Sequence, residues 1–286
     1  MGTVKVITDG TSSLTPEMGL DHGLTVVPLY VMFGEQTYVD GVSLSSAEFY
    51  RLLRSSPQLP TTSQPTAEDF IKAYTALWES MPDGGDKTIV SVHASLKMSA
   101  TVNSARAAAK QLPEMDIRVI DSQLISMGLG LIAIAAARAA KEGQSADEVV
   151  QLVERLMGDM QVIFTVDTLE YLHKGGRIGG ASALIGSLLN IKPILVLDGG
   201  QVEPLEKQRS RKRAVRRVLE LVAEGVGDST CVHAAVLHCD APDAAQEVVD
   251  QVADQFTCVE LFAAETGPTI GTHAGPGTVG VAFYTE

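Results

Sequence analysis

The chain has 286 residues, of which 45% are apolar and 20% are charged. This composition excludes disordered and fibrous proteins and supports one large domain or two smaller ones. Its 22 Lys and Arg residues against 35 Asp and Glu residues give a formal net charge of -13, which repels phosphate backbones at long range. Aromatic residues are only 5% of the chain, too few for repeated base stacking, so we expect no nucleic-acid partner.

No segment of the sequence predicts export or membrane insertion. The longest weakly polar stretch, residues 122–137, lies between Asp121 and Arg138 and is too short to span a bilayer, so we interpret it as a buried helix. The amino-terminal residues lack the basic and apolar regions of a signal peptide. The cysteines are odd in number and have no C-x-x-C spacing, which predicts a reduced protein of the cytoplasm.

Runs rich in Val and Ile alternate with amphipathic segments along the whole chain. Helices are predicted after Pro65, with Glu68 and Asp69 in the first turn, and after Ser145, which has capping-box spacing to Glu148. This alternation predicts an α/β protein. The predicted strands are VKVIT (4–8), LTVVPLYV (24–31), KTIVSVH (87–93), IRVID (117–121), QVIFTV (161–166), KPILVL (192–197), VHAAVLH (232–238) and VGVAFY (279–284).

The order of these elements predicts two domains. A first series of strands ends at Asp121, two helices follow to about Met160, and strands then resume in a more mixed order. We therefore place an amino-terminal α/β domain at residues 1–160 and a carboxyl-terminal α/β domain at residues 161–286.

The sequence lacks the motifs of several cofactor sites. Residues 275–280 read Gly-Pro-Gly-Thr-Val-Gly and match G-x-G-x-x-G, but the six residues that remain cannot supply the helix and strand of a dinucleotide fold. Neither a P-loop nor a G-x-S-x-G motif is present. The cluster of Cys231, His233, His238 and Cys239 lies on one predicted strand, whose alternation would scatter these side chains over both faces, so we expect no metal.

Three polar, turn-forming segments stand out in this apolar sequence: Thr61–Pro65, Ser91–Ser95 and Gly271–Gly277. Each lies at a predicted strand end or helix start, where ligands of α/β sheets gather. Hydroxyls and an imidazole at such a place can bind a carboxylate. Ordinary turn chemistry and helix capping would explain the same residues.

Two further segments are basic. Tyr171–Gly180 carries Arg177 in a glycine-rich turn before the helix-like run 181–190, and Arg177 can contact an anion bidentately. Residues 207–217 hold 7 of the 22 basic residues of the chain. On a helix, Val215, Val218 and Val222 would face inward, and the segment would be either a solvated face or a docking patch for an acidic partner. The residues on its outer flank are Arg209, Arg213, Arg216 and Arg217.

These segments, in this order, resemble the DegV family, which includes the fatty-acid-binding subunit of bacterial fatty acid kinases. Each motif is weak alone, but the ordered set covers the whole chain. The motifs are ITDGTSSLTPE (7–17), PTTSQPTAEDF (60–70), SLKMSATVNSA (95–105), LEYLHKGGRIGGASALIGSLLNIKPIL (169–195) and GPTIGTHAGPGTVGVAF (267–283).

The resemblance implies two α/β domains, the first with a parallel sheet in three layers and the second with a mixed sheet and flanking helices. It implies a long-chain fatty acid between them and no catalytic activity of the chain itself. A partner kinase that uses ATP would phosphorylate the carboxylate, and the acyl-phosphate would pass to phospholipid synthesis, where an acyltransferase would be a further partner. By motif position, the carboxylate-binding role falls on Thr62, Ser95 and His273, with Thr61 nearby. Arg177 matches the family arginine implicated in the kinase reaction, and the docking patch would present Arg209, Arg213 and Arg216.

Two motifs depart from the family pattern. Family members often read Ser-Ser-Lys-Leu-Ser-Gly-Thr where this chain has Ser-Leu-Lys-Met-Ser-Ala-Thr at 95–101, which removes one hydroxyl and one glycine. The first motif commonly has Asp-Ser where this chain has Asp9 and Gly10.

Two other function classes remain open at this level. A hydrolase or acyltransferase would pair Ser95 with His273, although a nucleophile elbow and an acidic partner for the imidazole are missing. A regulatory or interaction protein would bind a different small carboxylate or lipid and act through residues 207–217.

Overall fold

The computed structural model describes residues 2–186 and 191–286. The strands are β1 (Thr3–Asp9), β2 (Leu24–Val27), β3 (Tyr30–Phe33), β4 (Gln36–Val39), β5 (Thr61–Ser63), β6 (Lys87–His93), β7 (Asp116–Asp121), β8 (Gln161–Thr165), β9 (Lys192–Asp198), β10 (Gln201–Gln208), β11 (Val232–His238), β12 (Cys258–Glu265) and β13 (Val279–Thr285). The helices are α1 (Pro16–Asp21), α2 (Ser46–Ser55), α3 (Ala67–Glu79), α4 (Thr101–Ala109), α5 (Ser126–Lys141), α6 (Ala146–Asp159), α7 (Glu170–Lys174), α8 (Arg211–Val226), α9 (Pro242–Gln255) and α10 (Pro268–Ala274).

The amino-terminal half is built on a parallel sheet with strand order β2-β1-β6-β7. Successive residues of a strand point to opposite faces. On β1, Val6 packs into the cluster that contains α5 and α6, whereas Ile7 packs with Phe70 of α3 and Ala105 of α4. Helices therefore cover both faces, which confirms the predicted three-layer arrangement around a parallel sheet.

The carboxyl-terminal half is built on a mixed sheet with strand order β10-β9-β8-β13-β11-β12. Strands β11 and β12 run parallel, and the other neighbouring pairs run antiparallel. One face packs against α8 and α9 through residues such as Val218 and Val248. The mixed sheet with flanking helices is confirmed.

Helix α5 lies between the two sheets. It packs against β1 on one side and against β11 and β13 on the other, and its residues from Ser126 to Ala137 are all buried. The buried helix predicted over residues 122–137 is confirmed, although it begins at Ser126. No helix in residues 2–186 and 191–286 combines the length and apolarity needed to cross a membrane.

One apolar cluster runs through α5 into both sheets. It joins Val6 and Val90 of the parallel sheet to Phe164 and Leu195 of the mixed sheet. The predicted boundary at residue 160 falls between α6 and β8, and the division into 1–160 and 161–286 stays a prediction.

A third, antiparallel sheet with strand order β4-β3-β5 is inserted between β2 and α3. The sequence predicted one strand over 24–31, but Pro28 separates β2 from β3 because proline has no N–H for the ladder. Polar β5 and charged β10, which carries a register shift at Pro204, gave no apolar alternation and were missed, as were β4 and β12. The helix-like run 181–190 contains the end of a 3-10 turn at Gly179–Leu184, and residues 187–190 lie outside the described residues.

A substitution at Gly130 tests the close packing of α5. A Cβ at this position would lie 2.8 Å from the carbonyl oxygen of Ser12 and 3.0 Å from Sδ of Met127. We expect Gly130→Ala to lower the free energy of unfolding by about 1–3 kcal/mol, because overpacking displaces neighbours that cannot yield freely. Urea denaturation followed by circular dichroism measures the change.

Gly158→Ala is the matched control on α6, since a Cβ there meets nothing within 4 Å. Alanine has the higher helix propensity, so this variant should gain up to about 1 kcal/mol. Equal stability of the Gly130→Ala variant and the wild type would contradict the packing of α5 against the Gly10–Ser12 turn.

Candidate functional site

A cavity of about 860 Å³, measured with its open mouth, lies beside the amino-terminal end of α5. The face of the mixed sheet turned towards α5 supplies much of the wall, and loops supply the remainder. The apolar lining residues are Leu29, Met98, Ile125, Val162, Phe164, Leu172, Leu197, Val202, Leu237, Ile270 and Ala274. Such a wall suits an extended apolar ligand.

Polar side chains meet where β5 and α10 approach each other. Thr62 Oγ1 and His273 Nε2 are 2.8 Å apart, and both residues line the cavity. Pairing of β5 with Val31 of β3 holds Thr62 in place. On α10, the lining residues Thr269, Ile270, His273 and Ala274 have the spacing of one helical face. Two of the polar segments that the sequence singled out thus form one site.

Two glycines allow the elements around His273 to come close. A Cβ at Gly175 would lie 2.3 Å from Nδ1 of His273, and a Cβ at Gly271 would lie 2.7 Å from the ring of Phe49. A larger residue at either position would push α10 away from its neighbours. The glycine-rich segment before Arg177 is therefore needed for contact with α10.

The imidazole of His273 is neutral at neutral pH. Burial, together with the positive charge of Arg177, lowers the pKa of His273 to about 4. Its Nδ1 is buried and has no hydrogen-bond partner among the described residues, whereas Nε2 faces Thr62. A proton on Nε2 has an acceptor in Thr62 Oγ1, so hydrogen-bond satisfaction assigns it there. The Thr62 hydroxyl is then free to donate towards a ligand.

Arg177 brings a positive charge to the same end of the cavity. It is exposed and lines the cavity. Its Nε donates to the carbonyl oxygen of Met98 at 3.1 Å, and its Nη1 donates to that of Gly175 at 2.8 Å. These bonds join the loop after β6 to the turn after α7 and leave guanidinium N–H groups for an anion.

The structure places Ser95 and Thr61 outside the cavity lining. Ser95 is 1% exposed, and its hydroxyl donates to the carbonyl oxygen of Gly200 at 2.5 Å. Thr61 is exposed on β5, where alternation turns it away from Thr62. Because Ser95 bonds to Gly200 and His273 bonds to Thr62, the Ser95–His273 pair that a serine hydrolase would need is not formed.

The basic segment is a helix over most of its length, since α8 begins at Arg211. Val218 and Val222 are buried as predicted and Val215 is partly buried against the same cluster, but Arg209 precedes the helix. Arg216 pairs with Glu220 at 2.9 Å, and Arg217 pairs with several glutamates, including Glu206. The exposed residues Arg209 and Arg213 have no ion-pair partner among the described residues.

Several lining residues were missed by sequence reasoning. Ser99 and Met98 lie in a motif that was noticed for Ser95, and Gln64 lies beside Thr62 in another. Thr11 comes from the first motif, whose loop had no assigned role. The sequence therefore indicated which segments line the cavity. Which side chain of each segment faces the cavity depends on the conformation of the local turn. Among the described residues, no group of three or more His, Cys, Asp or Glu could hold a metal ion.

The lowered pKa of His273 predicts a pH-dependent stability. Between the folded pKa of about 4 and the ordinary value of about 6.5, the unfolded chain binds a proton that the folded chain does not. Stability from His273 is therefore lost as the pH falls from about 6.5 to 4. The free energy of unfolding of His273→Gln, relative to wild type, should shift by about 3 kcal/mol over this window. Urea denaturation across the window measures it, and parallel pH profiles would contradict a buried neutral imidazole.

Comparison with known proteins gives the family. The family model described as "Uncharacterised protein, DegV family" matches residues 3–286. A DegV domain-containing protein of Streptomyces coelicolor is 40% identical over 279 residues, which cover 97% of both chains.

Solved structures agree with this match. A fatty-acid-binding DegV family protein from Thermus thermophilus has a TM-score of 0.92 at 36% identity, over 99% of this chain and 100% of that one. DegV from Bacillus subtilis, described as a fatty acid binding protein, has a TM-score of 0.90 at 32% identity over 99% of both chains. The chain belongs to the DegV family.

Proposed function

We propose that this chain binds one long-chain fatty acid, presents its carboxylate to a partner kinase, and carries the resulting acyl-phosphate towards phospholipid synthesis. The observation that carries the proposal is an apolar cavity that ends at Thr62, His273 and Arg177. Such a combination of an apolar wall with a few convergent polar groups fits an amphipathic acid. The relatives from Thermus thermophilus and Bacillus subtilis, both described as binding fatty acids, support this ligand class.

The apolar wall provides the driving force. Burial of roughly 15 methylenes at about 0.8 kcal/mol each gives on the order of 12 kcal/mol. Association costs an estimated 4–15 kcal/mol in lost freedom. Tight binding therefore requires that most of the acyl chain leave water, and the apolar lining of the cavity favours this.

The polar end provides orientation. Thr62 supplies a hydroxyl donor, because its oxygen already accepts from His273. Arg177 supplies the opposite charge, and hydrogen bonds to a carboxylate are stronger than those between neutral groups. Ser99 adds a hydroxyl to the cavity lining. In this proposal Ser95 braces the turn at Gly200 rather than touching the ligand.

The kinase step follows from the exposure of this end. In this proposal the phosphoryl group comes from an ATP-dependent partner that meets the carboxylate near the exposed Arg177. Phosphoryl transfer is catalysed largely by positioning and charge, and Arg177 would supply part of that charge. The exposed residues Arg209 and Arg213 would attract an acidic face of the kinase. A cytoplasmic location, where ATP is available, is part of the proposal.

The first experiment identifies the ligand. We expect native mass spectrometry and organic extraction of the purified protein to give one long-chain fatty acid per chain. With this acid, Thr62→Val should raise the Kd about 10- to 100-fold, because a hydrogen bond to a charged group contributes about 1.5–3 kcal/mol. Titration with a fluorescent analogue measures the Kd.

Thr61→Val is the matched control, since it makes the same change at the adjacent exposed position. It should leave the Kd within about twofold of wild type. An empty protein that also rejects added fatty acid would overturn the proposal, and equal effects of the two variants would overturn the assignment to Thr62.

The docking surface predicts a separation of binding from phosphorylation. The double variant Arg209→Glu with Arg213→Glu should lower kinase-dependent acyl-phosphate formation at least about tenfold, because close charge complementarity controls encounter and register. The fatty-acid Kd should not change. Arg216→Glu is the comparison, and its effect should be smaller because Arg216 is paired with Glu220. An unchanged rate in the double variant would remove residues 207–217 from the proposed interface.

A further inference from the structure

A second polar group lies inside the protein, apart from Thr62 and His273. It is a chain of four side chains that are each 0% exposed: Asp9, His93, Ser91 and Tyr74. Asp9 Oδ2 is 2.9 Å from His93 Nδ1, His93 Nε2 is 2.5 Å from Ser91 Oγ, and Ser91 Oγ is 2.7 Å from the Tyr74 hydroxyl. The order Asp-His-Ser is that of a hydrolase triad. Because Ser91 is completely buried, no substrate can reach its hydroxyl. This hydrogen-bonded group of side chains therefore has a role other than hydrolysis.

The hydrogen bonds have one consistent direction. Hydrogen-bond satisfaction assigns Tyr74 as donor to Ser91, Ser91 as donor to Nε2 of His93, and Nδ1–H of His93 as donor to Asp9. No donor along the chain is left unpaired in this arrangement. Burial by itself raises the pKa of Asp9, but the bonds from His93, Thr11 and Ala94 hold it below its ordinary value. Asp9 is therefore a buried carboxylate at neutral pH.

All four acceptor positions of this carboxylate are used. Oδ1 accepts from the backbone N–H of Thr11 at 2.9 Å and from its hydroxyl at 2.5 Å. Oδ2 accepts from His93 and from the backbone N–H of Ala94 at 3.1 Å. Asp9 thus fixes the loops that leave β1 and β6, which are neighbours in the parallel sheet.

Both loops lead to the fatty-acid cavity. Thr11 lines it directly. Ala94 begins the loop in which Met98 and Ser99 line the cavity, and the Met98 carbonyl accepts the hydrogen bond from Arg177. The position of Ala94 therefore determines where Ser99 lies at the polar end of the site. It also determines the position of the Met98 carbonyl group, which accepts the hydrogen bond from Arg177.

We propose that Asp9 is a positioning residue for carboxylate binding, which acts by fixing the start of the 94–99 loop through the N–H of Ala94. The proposal rests on the proposed function. It assigns to Asp9 the orientation of Ser99 and, through Met98, of Arg177. The two bonds from Thr11 keep the Asp9 carboxylate in the rotamer that reaches Ala94.

Asp9→Asn tests the proposal. The carboxylate accepts four hydrogen bonds, and in the amide one of its two oxygens is replaced by an NH2 group, which is itself a donor. The two donors that face this NH2 group lose their hydrogen bonds. The probes are palmitic acid and palmityl alcohol, which have the same chain and differ in the head group. Displacement of a fluorescent fatty acid analogue measures both Kd values. We expect the Kd of the acid to rise at least about tenfold and that of the alcohol to rise less than about threefold. A purely structural role would raise both equally.

Tyr74→Phe is the matched control at the far end of the same chain. It removes a buried hydroxyl that touches neither loop, and both Kd values should stay within about twofold of wild type. If Asp9→Asn does not fold, as judged by near-ultraviolet circular dichroism, His93→Leu removes one donor from Asp9 and should give a smaller loss that is again selective for the acid.

The outcomes are distinct. An equal loss of acid and alcohol, or no loss, would overturn the positioning role of Asp9 while the proposed function stands. A selective loss in Tyr74→Phe as large as that in Asp9→Asn would also overturn it, since the effect would then not arise at Ala94. A wild-type protein that binds neither probe would overturn the proposed function and this inference with it.

Discussion

Burial of α5 between two sheets is the constraint on which the remaining architecture depends. A helix that is apolar on every side must be covered on every side, and here β1, α6 and the strands β11 and β13 share that task. The parallel sheet and the mixed sheet therefore contribute to one apolar cluster. Small residues such as Gly130, which lies against the Gly10–Ser12 turn, allow the layers to approach. The cavity begins at Ile125 and Ser126, where this helix starts.

The apolar wall and the polar end of the cavity are built from different kinds of element. Strands of the mixed sheet, covered by α5 on one face and by α8 and α9 on the other, line the cavity with apolar side chains such as Phe164 and Leu237. Its polar groups stand on short elements and loops, namely β5, α10 and the turn at Arg177. Loops lie at the surface, where backbone and side-chain polar groups remain solvated. An amphipathic ligand bound in this cavity would be oriented with its charged end outward.

Two histidines show how the protein uses polar groups at different depths. His273 has a lowered pKa, and its bond to Thr62 leaves a hydroxyl to donate at the cavity wall. His93 lies deeper, between Asp9 and Ser91, with both ring nitrogens bonded. A buried polar chain that is fully bonded is rigid, whereas a partly bonded one is costly. The group around His93 is thus suited to fix the position of loops, and the group around His273 is suited to bind a ligand.

The alternation of strands and helices could be predicted from the sequence alone, because Val- and Ile-rich runs, Pro65 and the Ser145 capping box act over a few neighbouring residues. The sequence motifs also singled out segments that line the cavity, including the one that carries Arg177. Polar β5 could not be found this way, because its strand state depends on pairing with β3. Which side chains meet could be seen only in the folded protein. Thr62 and His273 are 211 residues apart in the sequence, Ser95 bonds to Gly200, and Arg216 is paired with Glu220. The local sequence pattern determines whether a segment prefers the helical or the extended backbone conformation. The direction in which a side chain points depends on strand register and on packing against distant parts of the chain.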